Sequence, residues 1–468
     1  MRIFRHSDIR TFGASEHPSV YTIVQYLVTF CLLITSYLLF AFSSLYLPES
    51  RIKHAIEKSV VMGDIKTDYP RAIVNKEVCR MDQYSDALIL NQAYCASKDK
   101  PIRSIMLVPS VGGIDNMAEW LEAATSGVSE PIHTYPRYWH GSTYLSRWIL
   151  FLCGRYANLQ LFIFYVLSIS IFALLLLLIK KKNVRLTICL FISMLLLKTY
   201  VSMFSIHLSQ SLFIAIITAI AALFIKSKHN RRLLLFVAGS LTAFLDLMTT
   251  PMLTLGIPLL VMLADEKNQG NSFWSIIKGI IVISIFWGLG YASTWIFKWI
   301  LATWLTGTNV IADAISISKY RINGDVSGEI AGASSITVWD SVYANLSKSP
   351  LALIMALFLS LSIIACFAFN KKGIKMALAY LIVSLLPIMW YVAISNQTYV
   401  HCWFTYRALI ITVTGIFMTL TYIIDWQRLK NIAQDKLTNG YSDVQMNGCP
   451  DGRKNRKSVT SKSPLKRG

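Results

Sequence analysis

The stretch Leu233-LLFVAGSLTAFLDLMTTPMLTLGIPLLVML-Ala264 decides how this chain is folded. It is well beyond the about 20 residues that a helix needs to cross a bilayer, so it reads as one long tilted helix or as a tight hairpin. Both flanks are charged: Arg231-Arg232 on one side, Asp265-Glu266-Lys267 on the other. Basic residues in short loops mark the cytoplasmic side, and the later loops keep that parity only if the stretch is a hairpin. Its tip, Asp246-Leu-Met-Thr249-Thr250-Pro251, then lies at or just inside the outer surface. Each arm is short for a full span, so the tip is expected to enter a protein-lined cavity rather than lipid.

Working outward, the composition agrees. With 54% hydrophobic and 15% charged residues and a mean hydropathy of +0.50, the chain belongs with polytopic membrane proteins. A first helix over Tyr21–Tyr46 is too long for the apolar core of a signal peptide and no small-residue cleavage motif follows it, so it reads as retained. Further spans are expected over Leu159–Ile179, Leu186–Val201, Leu212–Ile225, Phe273–Phe297, Leu351–Phe369, Met376–Ile394 and Thr405–Ile424. With the hairpin this makes an all-α polytopic protein of about ten transmembrane helices in a cell membrane, both termini cytoplasmic. The expected organisation is a cytoplasmic N-terminus over 1–20, a transmembrane domain over 21–424, and a basic, disordered cytoplasmic tail over 425–468. A large external loop occupies 47–158 and a second one 298–350.

The net charge of +20 does not imply nucleic acid. The basic residues gather at the ends of apolar runs and in the tail, where they suit anionic headgroups. Of eight cysteines, only Cys79 and Cys95 share the large loop. One disulfide and two free thiols are both compatible with that spacing. The loop itself looks folded. Ile52, Ile56 and Val60 share a helical face that suits a helix lying in the membrane interface. Gly112-Gly113 marks a turn, and Asp115 can cap a short helix carrying Met117, Trp120 and Leu121.

Four constellations meet the outer face. Asp82 and Asp86, in Met81-Asp-Gln-Tyr-Ser-Asp86, would stack at i,i+4, a mildly unfavourable pairing that suggests a role other than stability; a solvated helix face is the plainer reading. Tyr135-Pro-Arg137-Tyr138-Trp139-His140, with Arg147 downstream, is either an aromatic belt or a binding surface. Asp246 with its threonines either caps its own turn or faces a ligand. The fourth is Ser395-Asn-Gln-Thr-Tyr-Val-His401-Cys-Trp403-Phe-Thr-Tyr-Arg407. An arginine is costly against lipid, and Lys198 and His207 add charge at similar depth. Together these make a cationic, aromatic outer face suited to a phosphate.

This layout resembles the GT-C class of membrane glycosyltransferases, which take sugars from polyprenyl-phosphate donors. The resemblance rests on one helix followed by a large outer loop and then a bundle, and on Asp82-Gln-Tyr-Ser-Asp86, Tyr138-Trp-His140, Asp246-Leu-Met-Thr-Thr-Pro251 and His401-Cys-Trp-Phe-Thr-Tyr-Arg407. It implies inverting transfer to a cell-envelope glycan or lipid acceptor, with Asp82, or Asp86 in its place, as base. Glu49, Asp64 and Asp68 are acids nearer the first helix. Arg407 would clamp the donor phosphate first, with His401, Arg137 and Lys198 as lesser candidates. Tyr138, Trp139, His140, Asp246 and Trp403 would contact sugar or prenyl chain. Asp82 and Asp86 alone are an incomplete set for magnesium or manganese, so no metal site is assigned and a divalent ion stays an open cofactor. The expected partners are a polyprenyl-phosphate-linked sugar, membrane lipids and the acceptor. A flippase of lipid-linked saccharides, or a ligase or polymerase of them, is the rival class.

Overall fold

The computed structural model describes residues 20–65, 83–113, 116–127, 132–265, 270–327, 335–432 and 434. Among them the chain is almost wholly helical. Six stretches are long and apolar enough to cross a membrane. They are α1 (Val20–Leu45), α7 (Tyr156–Lys180), α9 (Ile206–Phe224), α12 (Phe273–Thr306), residues 371–393 and residues 402–423. Residues 371–393 hold α16 (Ile374–Ser384) and α17 (Leu386–Ala393), and residues 402–423 end in α20 (Leu409–Ile423). A seventh joins α14 (Val338–Lys348) to α15 (Leu351–Phe367) across an 84° bend. The protein is therefore a multi-pass, mostly helical membrane protein.

The decisive stretch is a hairpin. Its arms are α10 (Lys228–Leu245) and α11 (Met252–Leu263). Their far ends are joined by Arg231, whose Nη2 lies 2.7 Å from Asp265 Oδ2, which one long helix could not allow. The first arm packs on α12 through two glycines in reciprocal contact. A Cβ on Gly239 would lie 2.1 Å from the Trp287 carbonyl oxygen, and one on Gly290 would lie 2.0 Å from that of Phe236. Small residues let helix backbones approach where lipid supplies no hydrophobic drive. Gly239→Val should separate this pair and cost about 3 kcal/mol or more, read as a lower Tm and loss of the monodisperse peak. An unchanged Tm would mean that the close approach contributes little.

Polar threads bind the same helices. Tyr37 Oη of α1 meets Ser240 Oγ at 3.0 Å, and Ser240 Oγ meets Thr294 Oγ1 at 2.7 Å. Trp287 Nε1 donates to Thr254 Oγ1 at 2.9 Å.

Several boundaries differ from the expected ones, each for a local reason. The third span breaks at Lys198, which is left-handed (φ 53), so α8 (Val184–Leu196) gives way to a 3-10 turn over Thr199–Phe204. The ninth breaks before Pro387, which cannot donate a helical hydrogen bond. The seventh runs past Phe297 to Thr306, about 51 Å of helix at 1.5 Å per residue, so the second loop begins at 307. Lys298, just beyond the expected end of the span, is fully buried in the helix.

The large loop folds into α2 (Glu49–Val61), α3 (Gln83–Cys95), α4 (Pro101–Met106), α5 (Met117–Thr125) and α6 (Gly141–Cys153). A two-stranded ribbon joins them, β1 (Pro109–Val111) against β2 (Ile132–Thr134), with Ser110 opposite His133. Asn91 of α3 holds the ribbon at both groups of one residue: its Oδ1 accepts from Val111 N at 2.9 Å and its Nδ2 donates to Val111 O at 3.1 Å. Ile52 and Ile56 are buried in the same core as α3 and α5, so α2 spends its apolar face inside the loop and not on the membrane interface. The cap of α5 is Asn116, whose side chain accepts from Glu119 N; Asp115 lies outside the described residues. The expected second loop carries α13 (Val310–Ile322) and α14.

Candidate functional site

The site is built where the folded loop meets one end of the helical bundle, and helix termini govern that junction. The first N–H groups of a helix and its last carbonyls have no partner within the helix, and they attract anions and cations respectively. Asp86 sits at the start of α9. Its carboxylate accepts from Ile206 N and His207 N, both at 2.9 Å, from Ser205 Oγ at 3.0 Å and from Tyr156 Oη at 2.5 Å. Asp64 serves α7 in the same way: it accepts from Ala157 N at 3.3 Å and pairs with Arg155, whose Nε lies at 2.7 Å.

Cations of the opposite sense meet carbonyl ends. Lys298 Nζ donates to Ile105 O at 2.7 Å and Met106 O at 3.1 Å, at the end of α4. Arg147 donates to Ser44 O and Ala96 O, both at 3.1 Å, and to Ala93 O. These contacts fix the loop rigidly against the bundle.

On that support the four sequence constellations converge. His207, held through its backbone by Asp86, turns its ring to Thr249 Oγ1 at 3.3 Å. Thr249 N donates to Asp246 Oδ2 at 2.9 Å, and Ser211 Oγ donates to Asp246 Oδ1 at 2.7 Å. The other side of His207 meets Phe404 edge-on at 5.4 Å, and Phe404 stacks on His401 at 5.2 Å. The tip of the hairpin reaches the second constellation where Tyr138 Oη meets Met248 Sδ at 3.5 Å.

Beside Met248 opens a cavity of about 140 Å³ lined by Arg137, Tyr138, Trp295, Trp299 and Arg321, with Ile322 and Ile394 on its apolar side. Arg137 Nη1 holds Asp313 at 3.0 and 3.2 Å, and its guanidinium lies over the Tyr135 ring at 4.7 Å. Arg321 donates to Asn396 Oδ1 at 3.0 Å, which ties the wall to the last constellation. Two donors on this wall, Arg137 Nε and Trp295 Nε1, are buried with no hydrogen-bond partner among the described residues. An unpaired buried donor costs about 1–3 kcal/mol, so the cavity is suited to an acceptor-rich ligand.

Several expected site residues take other positions. Asp82 and Cys79 lie outside the described residues. Asp86, with four donors on its carboxylate, has no lone pair left for a proton or a metal and acts as the cap of α9. Among the described residues no group of three or more His, Cys, Asp or Glu could hold a metal ion. Trp139 is a core side chain. It is 1% exposed, donates to Thr294 O at 2.8 Å and packs against Tyr37 and Phe244; it has no face left for a sugar. His140 is fully buried at the start of α6. Arg407 is 2% exposed and belongs to its own turn, with Nη1 3.4 Å from Trp403 O and the guanidinium 4.9 Å from the Tyr406 ring. It does not line the cavity, and neither do Lys198 and Trp403.

Three lining residues escaped the sequence reading: Arg321, Trp295 and Trp299. A signal was present, since Lys319-Tyr-Arg321 repeats the basic-aromatic pattern and Trp295 and Trp299 share a helical face at i,i+4.

Burial holds two histidines neutral. His140 is pushed down to about 3, chiefly by burial and then by Lys298 and Arg137. His401 falls to about 3 by burial, then by Arg321 and His207. The unfolded chain titrates near 6.5 and so binds these protons first. Stability is fully present above about pH 6.5 and is lost as the pH falls towards the folded values, by about 3 kcal/mol per histidine at pH 4. Asparagine tolerates the left-handed backbone of position 140. His140→Asn should therefore flatten the acid limb of Tm against pH, and an unaltered limb would mean that this imidazole is not held neutral.

No family model, curated protein or solved structure matches this chain.

Proposed function

We propose that the protein is a GT-C-type integral membrane glycosyltransferase. In this reading it moves a sugar from a polyprenyl-phosphate donor to a cell-envelope glycan or lipid acceptor at the outer face of the cell membrane. The observation that carries it is the cavity at the loop-bearing end, where two arginines, two unpaired buried donors and three aromatic rings converge. Guanidinium groups match phosphate oxygens, aromatic faces suit a sugar ring, and Ile322 and Ile394 give a prenyl chain an apolar exit.

The ten-span topology belongs to the same reading. Besides the long helices, this reading takes the shorter α8, α10 and α11 each as a crossing. Counting them, and the bent α14–α15 pair as one span, gives ten crossings with both termini on the cytoplasmic side. The cavity and loop then lie outside, where polyprenyl-linked sugars are used.

Chemically, the attacking hydroxyl of the acceptor loses its proton to a carboxylate while the donor phosphate leaves. Asp82 is the base in this reading, because Asp86 is committed to α9. Arg137 and Arg321 stabilise the charge that grows on the leaving phosphate. The aromatic rings and unpaired donors of this reading gather in the cavity at the loop-bearing end, which favours chemistry there over the alternating access of a flippase. The test is to incubate the purified protein in vesicles with a polyprenyl-phosphate-linked sugar and acceptor and to follow the anomeric carbon. Formation of a new glycosidic bond, lost in Asp82→Asn, is expected. Passage of intact lipid-linked sugar across the vesicle with no bond made would instead identify a flippase.

A further inference from the structure

The opposite end of the bundle holds a larger cavity, of about 580 Å³, and we propose that it binds a phosphate-bearing anion. Four cations line it: Lys182 from the α7–α8 turn, Arg185 from the first turn of α8, Lys372 from the turn before α16 and Lys375 from the first turn of α16, together with Asn183 and Tyr422. No Asp or Glu is among the lining residues. Basic residues at helix ends ordinarily extend into water and keep apart. Here four of them border one concave space; Lys375 Nζ also donates to Asn271 O at 2.7 Å and Arg185 lies 5.9 Å from the Trp426 ring, and an anion bound between them would ease the repulsion that remains.

The backbone that carries them is held firmly. Asn370 N donates to Ile423 O at 2.8 Å. Gly373 approaches the end of α20 so closely that a Cβ would lie 1.8 Å from Tyr422 O. The start of α8 adds to the field. Val184, Arg185 and Leu186 line the cavity, and their cap residue, Asn183, makes no side-chain bond to the first N–H groups of the helix. A phosphate meets both needs, with several acceptor oxygens and a full negative charge. It could be carried by a membrane-lipid head group, whose chains would follow Met376 and Met418 of the wall, or be a soluble phosphate; the recognising chemistry is the same.

The test uses the full chain and its thermal unfolding in two arms. One compares nanodiscs of phosphatidylcholine alone with nanodiscs that also contain cardiolipin. The other adds inorganic pyrophosphate to detergent-purified protein, against sodium chloride of equal ionic strength. A rise in Tm in either arm is expected. Cardiolipin alone acting identifies a head group, and pyrophosphate alone a soluble ligand. The double variant Arg185→Gln with Lys372→Gln should bind roughly 30-fold more weakly, at about fivefold per charge. Lys180→Gln with Lys430→Gln, which removes two charges outside the cavity, should bind as the parent does. The proposal is overturned by no rise in either arm with the parent protein, by unchanged affinity in the cavity variant, or by equal losses in both variants.

Discussion

Arg147→Ala is expected to abolish the folded, monodisperse protein. The guanidinium is fully buried and binds the carbonyl ends of two helices at once: Ser44 in the last turn of α1, and Ala93 and Ala96 at the end of α3. Burial lowers it only to about 10, so it carries its charge at neutral pH. Alanine would leave three carbonyls without this donor and an empty space the size of the side chain. Removing one partner from such a buried arrangement costs about 3–5 kcal/mol, a large part of what holds most domains together. Arg147→Lys keeps the charge, but a compact ammonium cannot span three acceptors, and a loss of about 2 kcal/mol is expected. Fluorescence-detected size exclusion and Tm are the measurements. Should Arg147→Ala elute as the parent does, with a Tm within about 2 °C, the loop is held to the first helix by something else.

Arg137→Ala is expected to lower turnover in the glycosyl-transfer assay by about 100-fold or more, the usual cost of removing one preorganised donor from a developing anion. The residue also pairs with Asp313, so the loss has to be separated from a structural one. Asp313→Asn breaks the pair but leaves the guanidinium at the cavity, and should keep activity within about fivefold, since a half-exposed pair contributes about 1 kcal/mol or less. Trp295→Phe keeps an aromatic ring but removes the unpaired N–H together with the five-membered half of the indole; it should cost about tenfold. If Asp313→Asn fell as far as Arg137→Ala, Arg137 would be an anchor for α13 and not a ligand for substrate.

Much of the candidate site was legible because charged and aromatic residues are conspicuous against an apolar chain. Asp246, Tyr138, Arg137 and His401 were picked out by type alone; Arg137 and Tyr138 line one cavity, while Asp246 and His401 are linked to each other through Thr249, His207 and Phe404. What could not be read was the partner of each. Asp86 looked like half of a carboxylate pair, yet two of its four donors are backbone amides more than a hundred residues away, and backbone groups carry no sequence signal. Arg407 looked like a phosphate clamp; it is buried in its own turn and does not line the cavity. Trp139 looked like a belt residue, and the arrival of Phe244 and Thr294 from two other helices made it core. Arg321 and Trp295 were not among the expected site residues: the span was expected to end at Phe297, and the helix runs on to Thr306.

The sequence by itself determined the membrane class, the positions of the long spans, the hairpin at Leu233–Ala264 and the presence of a folded loop. These follow from hydropathy, loop charge and turn residues, all of which are local. Only the tertiary structure decided which polar residues are spent on helix ends and which face a cavity. That choice depends on carbonyls and amides left unpaired at helix termini, which attract the nearest charge the fold brings to them.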